Sequence, residues 1–145
     1  MEIKMDEKFE EGLASFEKKV GLHFKDRHLL KMALTHSSFA RHDRKNVYQD
    51  NERLEFFGDA VLKLIVSEFL FYEYPDSNEG YLTKLRSQII SDKNLALLAQ
   101  ELKLGDYIRF SFGENNTGGR LKQSNLANAL EAFLGAIYLD SGLDK

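Results

Sequence analysis

Apolar residues recur along the chain at helical spacing, and no stretch alternates long enough to predict a paired strand. Phe9, Leu13, Phe16 and Val20 stand four, three and four apart, the stripe of an amphipathic helix that Gly21 is placed to stop. Asp26 can cap a second helix, in which Leu29, Leu30, Ala33 and Leu34 share a face. The polar stretch from Thr35 to about Asn51 reads as a long loop or a frayed helix end. From Asp50 or Asn51 runs the strongest helical segment, NERLEFFGDAVLKLIVSEFLFYEY, which Pro75 ends. It is too rich in apolar residues for a surface helix, so its burial is expected. After the loop 75–80, Tyr81, Leu82, Leu85, Ile89 and Ile90 continue at helical spacing. Ser91 or Asp92 can cap a further helix carrying Leu95, Ala96, Leu98, Ala99 and Leu102, with Gly105 closing it. Tyr107 to Phe112 alternates without a matching partner segment, which predicts an extended connector or one turn of helix. Glu114 to Gln123 reads as a Gly/Asn-rich loop, and Ser124 as the cap of a last helix that ends near Gly142. With no internal repeat, the expectation is a single all-α domain over residues 1–145, an irregular multi-helix bundle.

The length of 145 residues suits one hydrophobic core. The absence of cysteine excludes a disulfide scaffold, a thiolate metal site and a cysteine nucleophile. Charges alternate through Glu2, Lys4, Asp6 and Glu7 where a signal peptide needs an apolar block, and no apolar run approaches the ~18 residues of a membrane span. Neither secretion nor membrane insertion is expected, and a cytoplasmic location is. The 20 Lys and Arg against 23 Asp and Glu give a net charge of −3, so a polyanionic partner would have to be attracted by local charge or bound metal. Two local excesses stand out: Arg41, Arg44 and Lys45 against Asp43, and Lys103, Arg109, Arg120 and Lys122 against Asp106 and Glu114.

Glu52, Glu55 and Asp59 are spaced three and four apart, so they fall within roughly 60° on one helical face. Leu54, Phe57, Val61 and Leu64 mark another face, so the carboxylates need not be solvated, and their repulsion then calls for compensation, usually a hard cation. Asn128 and Glu131 repeat the pattern in the last helix amid Leu126, Ala127, Leu130, Ala132 and Phe133. If the two helices pack together, oxygen donors converge without histidine or cysteine, a set that favours Mg²⁺ or Mn²⁺ over zinc and suits phosphate chemistry. The plain alternative, a solvated acidic face, is weakened by the apolar character of the helix. Gly58 inside it costs about 1 kcal/mol, which points to close approach by another helix or chain.

The segment from Asn51 to Leu62, NERLEFFGDAVL, resembles the signature of the ribonuclease III family, whose usual form is NERLEFLGDAVL. Agreement extends to Ala33-Leu34-Thr35-His36-Ser37-Ser38, to Glu79-Gly80 followed by Leu82 to Arg86, and to Glu131 through Asp140, so essentially the whole chain is similar to the endonuclease domain. The resemblance implies an all-α homodimer that cuts double-stranded RNA with Mg²⁺, leaving 5′-phosphate and 3′-hydroxyl ends with short 3′ overhangs, in ribosomal and messenger RNA processing. It implies no organic cofactor. Glu55, Asp59 and Glu131 match the principal metal-binding carboxylates, with Asp59 and Glu131 catalytic, while Glu52 and Glu79 match acidic positions of the substrate cleft. Phe56, with Gly58 beside it, is assigned by the resemblance to the dimer interface. Asn128 departs from the family, which commonly has aspartate there as a further ligand. Its amide oxygen can still ligate Mg²⁺, but without charge, so a weakened or inactive dimeric double-stranded RNA-binding module is the alternative. Bacterial members usually append a C-terminal RNA-binding domain with no counterpart in this sequence, and the signature resembles that full-length class, so the sequence is expected to be a piece of a longer protein.

Other candidates have plainer readings. Lys84 and Arg86 follow Glu79 where they could meet phosphates, but exposed helical charges are the commoner case. None of His23, His28, His36 and His42 has glutamate three residues before it, which sets aside a carboxylate-bridged di-iron bundle. The pair His42-Asp43 lacks partner ligands for a phosphohydrolase, and His36 reads as a hydrogen-bonded structural residue.

Overall fold

Residues suited to start and stop helices make the hydrogen bonds that define those ends. The Asp26 side chain accepts from the His28 N–H and opens α2 (Arg27–Ala33), while Gly21 turns the chain with φ +73° after α1 (Glu2–Val20). Asn78 caps α5 (Glu79–Ile89) and Ser91 caps α6 (Asp92–Glu101) in the same way. The computed structural model describes residues 2–41 and 49–142. Its remaining helices are α3 (Ser37–Arg41), α4 (Glu52–Glu73), α7 (Phe112–Asn116) and α8 (Gln123–Ser141), with single 3₁₀ turns at Leu104–Tyr107 and Gly119–Leu121. The chain is all-α, as the periodicity predicts.

α8 is the axis of the fold, burying Leu126, Ala127, Ala129, Leu130, Ala132, Phe133 and Ala136. Small residues on several faces let α2, α4 and α6 approach it closely. α1 closes the far side through Leu13 and Phe16, whose ring lies 4.8 Å from Tyr107 and 5.2 Å from Phe133. The buried Glu17 is fully used: it accepts from the Phe24 N–H at 2.9 Å and the Arg27 guanidinium at 2.6 Å. Asp140 near the end of α8 accepts from the N–H groups of Lys25 and Asp26 at 3.1 and 2.9 Å, tying the two ends of the domain together.

Several local expectations need correction. Ser124 does not cap α8, which begins two residues earlier than that cap would set, at Gln123 after Lys122. Gly105 does not close α6. Lys103 takes the left-handed conformation there, and Gly105 lies under the Arg120 carbonyl, 2.5 Å from where a Cβ would stand. The Thr35–Asn51 stretch contains α3, and the Gly/Asn-rich loop contains α7 and a 3₁₀ turn. Arg109 pairs with the Thr35 segment through a bridge in which the Arg109 N–H donates to the Leu34 carbonyl at 2.9 Å. α4 is buried on one side alone: Leu64, Ile65, Phe69, Phe71 and Tyr72 are exposed.

Candidate metal centre

The crossing of α4 with α8 sets the geometry of the acidic residues. Leu54, Gly58 and Val61 form the stripe of α4 that meets α8. At Gly58 the backbones nearly touch: a Cβ there would lie 1.7 Å from the Glu131 carbonyl oxygen and 3.1 Å from the Gly135 nitrogen. A Cβ on Gly135 would in turn lie 2.7 Å from the Leu54 carbonyl oxygen. Gly58 therefore belongs to a contact within the chain, and its assignment to the dimer interface is corrected, since its missing side chain is what admits α8. Phe56, two residues earlier, points away and is 83% exposed.

This contact places Glu131, only 8% exposed, beside the carboxylates of α4. Glu52, Glu55, Phe56, Asp59, Asp92, Asn128 and Glu131 line a cleft of about 680 Å³ open to solvent. Glu131 is pushed up to about 8, chiefly by burial, then by a hydrogen bond shared with Asp59 and by the negative charges of Asp59, Glu55 and Asp92. Glu55 is raised as well, by burial first and then by Glu52, Asp92, Asp59 and Asp50. Glu131 therefore holds a proton near neutral pH. Lys63, one turn beyond Asp59, reaches back to Asp59 Oδ2 at 2.9 Å.

The polar donors lining the cleft are all oxygen donors, apart from the Asn128 amide nitrogen, which suits Mg²⁺ or Mn²⁺ and disfavours zinc. Among the described residues no three acidic or histidine side chains already converge on one point, so a cation would draw Glu55, Asp59 and Glu131 together against their repulsion. Glu79 is not among the lining residues. It opens α5 and is exposed, separated from Asp59 by the rest of α4, about 20 Å at 1.5 Å per residue.

The basic stretch from Lys103 to Lys122 does not form a surface patch. Arg109 is sandwiched between Phe9 and Phe39 at 4.3 and 4.6 Å, and its Nε donates to Thr35 Oγ1. Arg120 donates to the carbonyls of Gly105 and Ile108, and burial lowers its pKa. Both guanidiniums hold the fold together. Arg44 and Lys45, with Asp43 and the His42-Asp43 pair, lie outside the described residues. Arg86 ties α5 to α4 by donating to Ser67 Oγ at 3.0 Å. His36 is structural: Nδ1 accepts from the Ser38 N–H, so Nε2 donates to Asn125 Oδ1 at 3.1 Å.

Sequence reasoning missed Asp92 as a cleft residue and Gly135 as the counterpart of Gly58. Asp92 shares no spacing with the α4 acids, and only the packing of α6 along α8 brings it in. Gly135 carried a signal that could have been used, a second glycine inside an apolar helix.

Residues 26–145 match the family model described as Ribonuclease-III-like. The chain is 50% identical over 134 residues to a Ribonuclease 3 from Bacillus velezensis, covering 92% of this chain and 54% of that protein. It is 48% identical over 143 residues to a Ribonuclease 3 from Bacillus cereus, covering 99% of this chain and 58% of the relative. The chain thus spans a little over half the length of these relatives. Among solved structures, it superposes with TM-score 0.81 on the nuclease domain of ribonuclease III from Campylobacter jejuni, in a structure concerned with flexibility in the region involved in dimer formation. That match has 46% identity and covers 88% of this chain and 85% of the other. A Dicer from Pichia stipitis matches with TM-score 0.59 and 30% identity over 83% of this chain and 48% of its own.

Proposed function

The chain belongs to the ribonuclease III family, and from that premise we propose that it is an endonuclease that hydrolyses double-stranded RNA with a divalent cation, Mg²⁺ or Mn²⁺. The observation that carries this reading is the buried Glu131 carboxyl pressed against Asp59 in a cleft whose charged lining is wholly acidic. Glu55, Asp59 and Glu131 would hold the cation, with the Asn128 amide oxygen as a neutral fourth donor. When bound, the cation supplies Lewis acidity toward a phosphate and lowers the pKa of a coordinated water. A bound cation would favour the ionised form of Glu131, because it would neutralise the charge that burial and Asp59 disfavour. Glu52, exposed at the edge of the same face, orients water or substrate at the mouth of the cleft. The Gly58–Gly135 contact holds Asp59 and Glu131 together and so fixes the distance across which a phosphate must fit.

The chain acts as a homodimer in this reading. The stripe Leu54, Gly58, Val61 that packs on α8 continues at the same spacing as Ile65, Phe69 and Tyr72, all exposed. So long a run of uncovered aromatic and aliphatic side chains requires a partner, and a second copy presents the same surface. Phe56 lies beside the cleft near the start of α4, and Glu79 opens α5 past the other end of α4, so a two-fold pairing lets Glu79 serve the opposite subunit's cleft. Two such clefts cut the two strands of a duplex, giving 5′-phosphate and 3′-hydroxyl ends with short 3′ overhangs. Precursors in ribosomal and messenger RNA processing are the substrates this reading expects, in a cytoplasmic setting. No helix among the described residues is long and apolar enough to cross a membrane.

Cleavage of an end-labelled RNA duplex at low salt, with Mg²⁺ or Ca²⁺, tests the reading in this chain and in its Asn128→Asp variant. Staggered Mg²⁺-dependent products from the unaltered chain are expected. Cleavage by Asn128→Asp alone would leave a domain that binds RNA without cutting it, and no cleavage by either would refute the nuclease reading.

A further inference from the structure

The cleft holds a carboxylate with no other visible employment. Asp92 is the first residue of α6, but the capping bond there is made by Ser91, whose Oγ accepts from the Asn94 N–H at 3.3 Å. Among the described residues no hydrogen bond or ion pair occupies the Asp92 side chain. It lines the same cleft as Asn128, from a third helix, and is among the negative charges acting on both Glu55 and Glu131. α6 packs along α8, the helix that carries Asn128 and Glu131, which keeps Asp92 at this edge of the cleft.

Resting on the metal-site reading above, we propose that Asp92 supplies to the cation site the negative charge that Asn128 lacks. Three carboxylates, Glu55, Asp59 and Glu131, line the cleft from α4 and α8, and the neutral amide of Asn128 stands beside them where a fourth charge would serve. An amide oxygen donates a lone pair but leaves the cation's charge less compensated than a carboxylate does. Asp92 restores that compensation from α6, directly or through a coordinated water, and so acts as a positioning residue for the cation. A plain helix-dipole role for Asp92 predicts something different, namely a small loss of helix stability and no change in metal affinity.

Mn²⁺ titration of the metal-free domain, followed by the EPR signal of the free ion, separates the two. Asp92→Asn is expected to weaken Mn²⁺ binding about tenfold in the chain as it stands. In the Asn128→Asp background the same change should cost about twofold or less, because the fourth carboxylate is then in place. Melting of the metal-free protein, read by circular dichroism, should barely move. An unchanged dissociation constant for Asp92→Asn overturns the proposal, and so does an equal loss in both backgrounds. Glu131→Gln is the control for the site itself. If it abolishes binding while Asp92→Asn leaves binding intact, the metal site stands and the role of Asp92 falls. If neither the unaltered chain nor Asn128→Asp binds Mn²⁺ at millimolar concentration, the metal site falls and the role of Asp92 with it.

Discussion

Glu131→Gln keeps the shape of a buried side chain and removes its charge, which makes it a direct probe of how the cleft is assembled. Glu131 is 8% exposed and its carboxyl is pushed up from 4.5 to about 8, mainly by burial. The unfolded chain ionises this group near 4.5, so between 4.5 and about 8 the folded protein holds a proton that the unfolded chain has released. Stability therefore falls as pH rises through that window, by about 1.4 kcal/mol per unit and at most about 5 kcal/mol in all, and is unaffected by this group below it. Glutamine is neutral throughout and can still hydrogen-bond to Asp59. The metal-free variant should match the parent below 4.5 and exceed it by a few kcal/mol near 8, which is roughly 10 °C in melting midpoint. Thermal melts in chelator at fixed protein concentration, taken across that range, measure the difference directly. Added Mg²⁺ should reverse the order, because the parent gains binding energy that the variant cannot. A stability difference that does not vary with pH would refute the reasoning.

Four further outcomes follow from the same structure. Gly58→Ala drives a Cβ to 1.7 Å from the Glu131 carbonyl oxygen, so the domain should lose about 3 kcal/mol or more in urea denaturation; wild-type stability would show that α4 and α8 can separate freely. Phe56→Ala removes a ring that is 83% exposed, so it should weaken dimerisation with little effect on the fold, and a light-scattering mass that stays dimeric at low micromolar concentration counts against it. Lys63→Met frees Asp59 Oδ2 from an ammonium 2.9 Å away and should tighten Mg²⁺ binding about two- to fivefold by calorimetry; an unchanged constant rejects competition between the two cations. Asp140, whose carboxyl the Asp26 N–H holds below the usual 3.8, stabilises the fold at neutral pH and loses that contribution as pH falls through its lowered value. Asp140→Ala should therefore cost about 1 kcal/mol at neutral pH and almost nothing in strong acid, and a loss that persists in acid would point to packing instead.

Much of this architecture was legible in the spacing of residues. The caps Asp26 and Ser91 and the stop at Gly21 occupy the positions their chemistry predicts, because capping is a bond between near neighbours in sequence. Where local spacing misleads, a distant contact decides the matter. Arg109 and Arg120 look like a basic patch in a linear string, yet one is clasped by Phe9 and Phe39 and the other by two backbone carbonyls. The exposure of Ile65, Phe69 and Tyr72 was equally hidden, since hydrophobicity states that a face needs cover but not whether the same chain provides it.

The sequence by itself determined the all-α class, the acidic face of Glu52, Glu55 and Asp59, and the oxygen-only character of a site that includes Asn128 and Glu131, because helical period and donor type are local properties. Tertiary structure alone decided that α4 meets α8 at Gly58 and Gly135, that Glu131 is thereby buried beside Asp59, that Glu79 stands apart, and that Asp92 enters the cleft from α6. These are contacts between segments far apart in the chain, set by which backbones can approach closely enough to exclude water, and no local period encodes that choice.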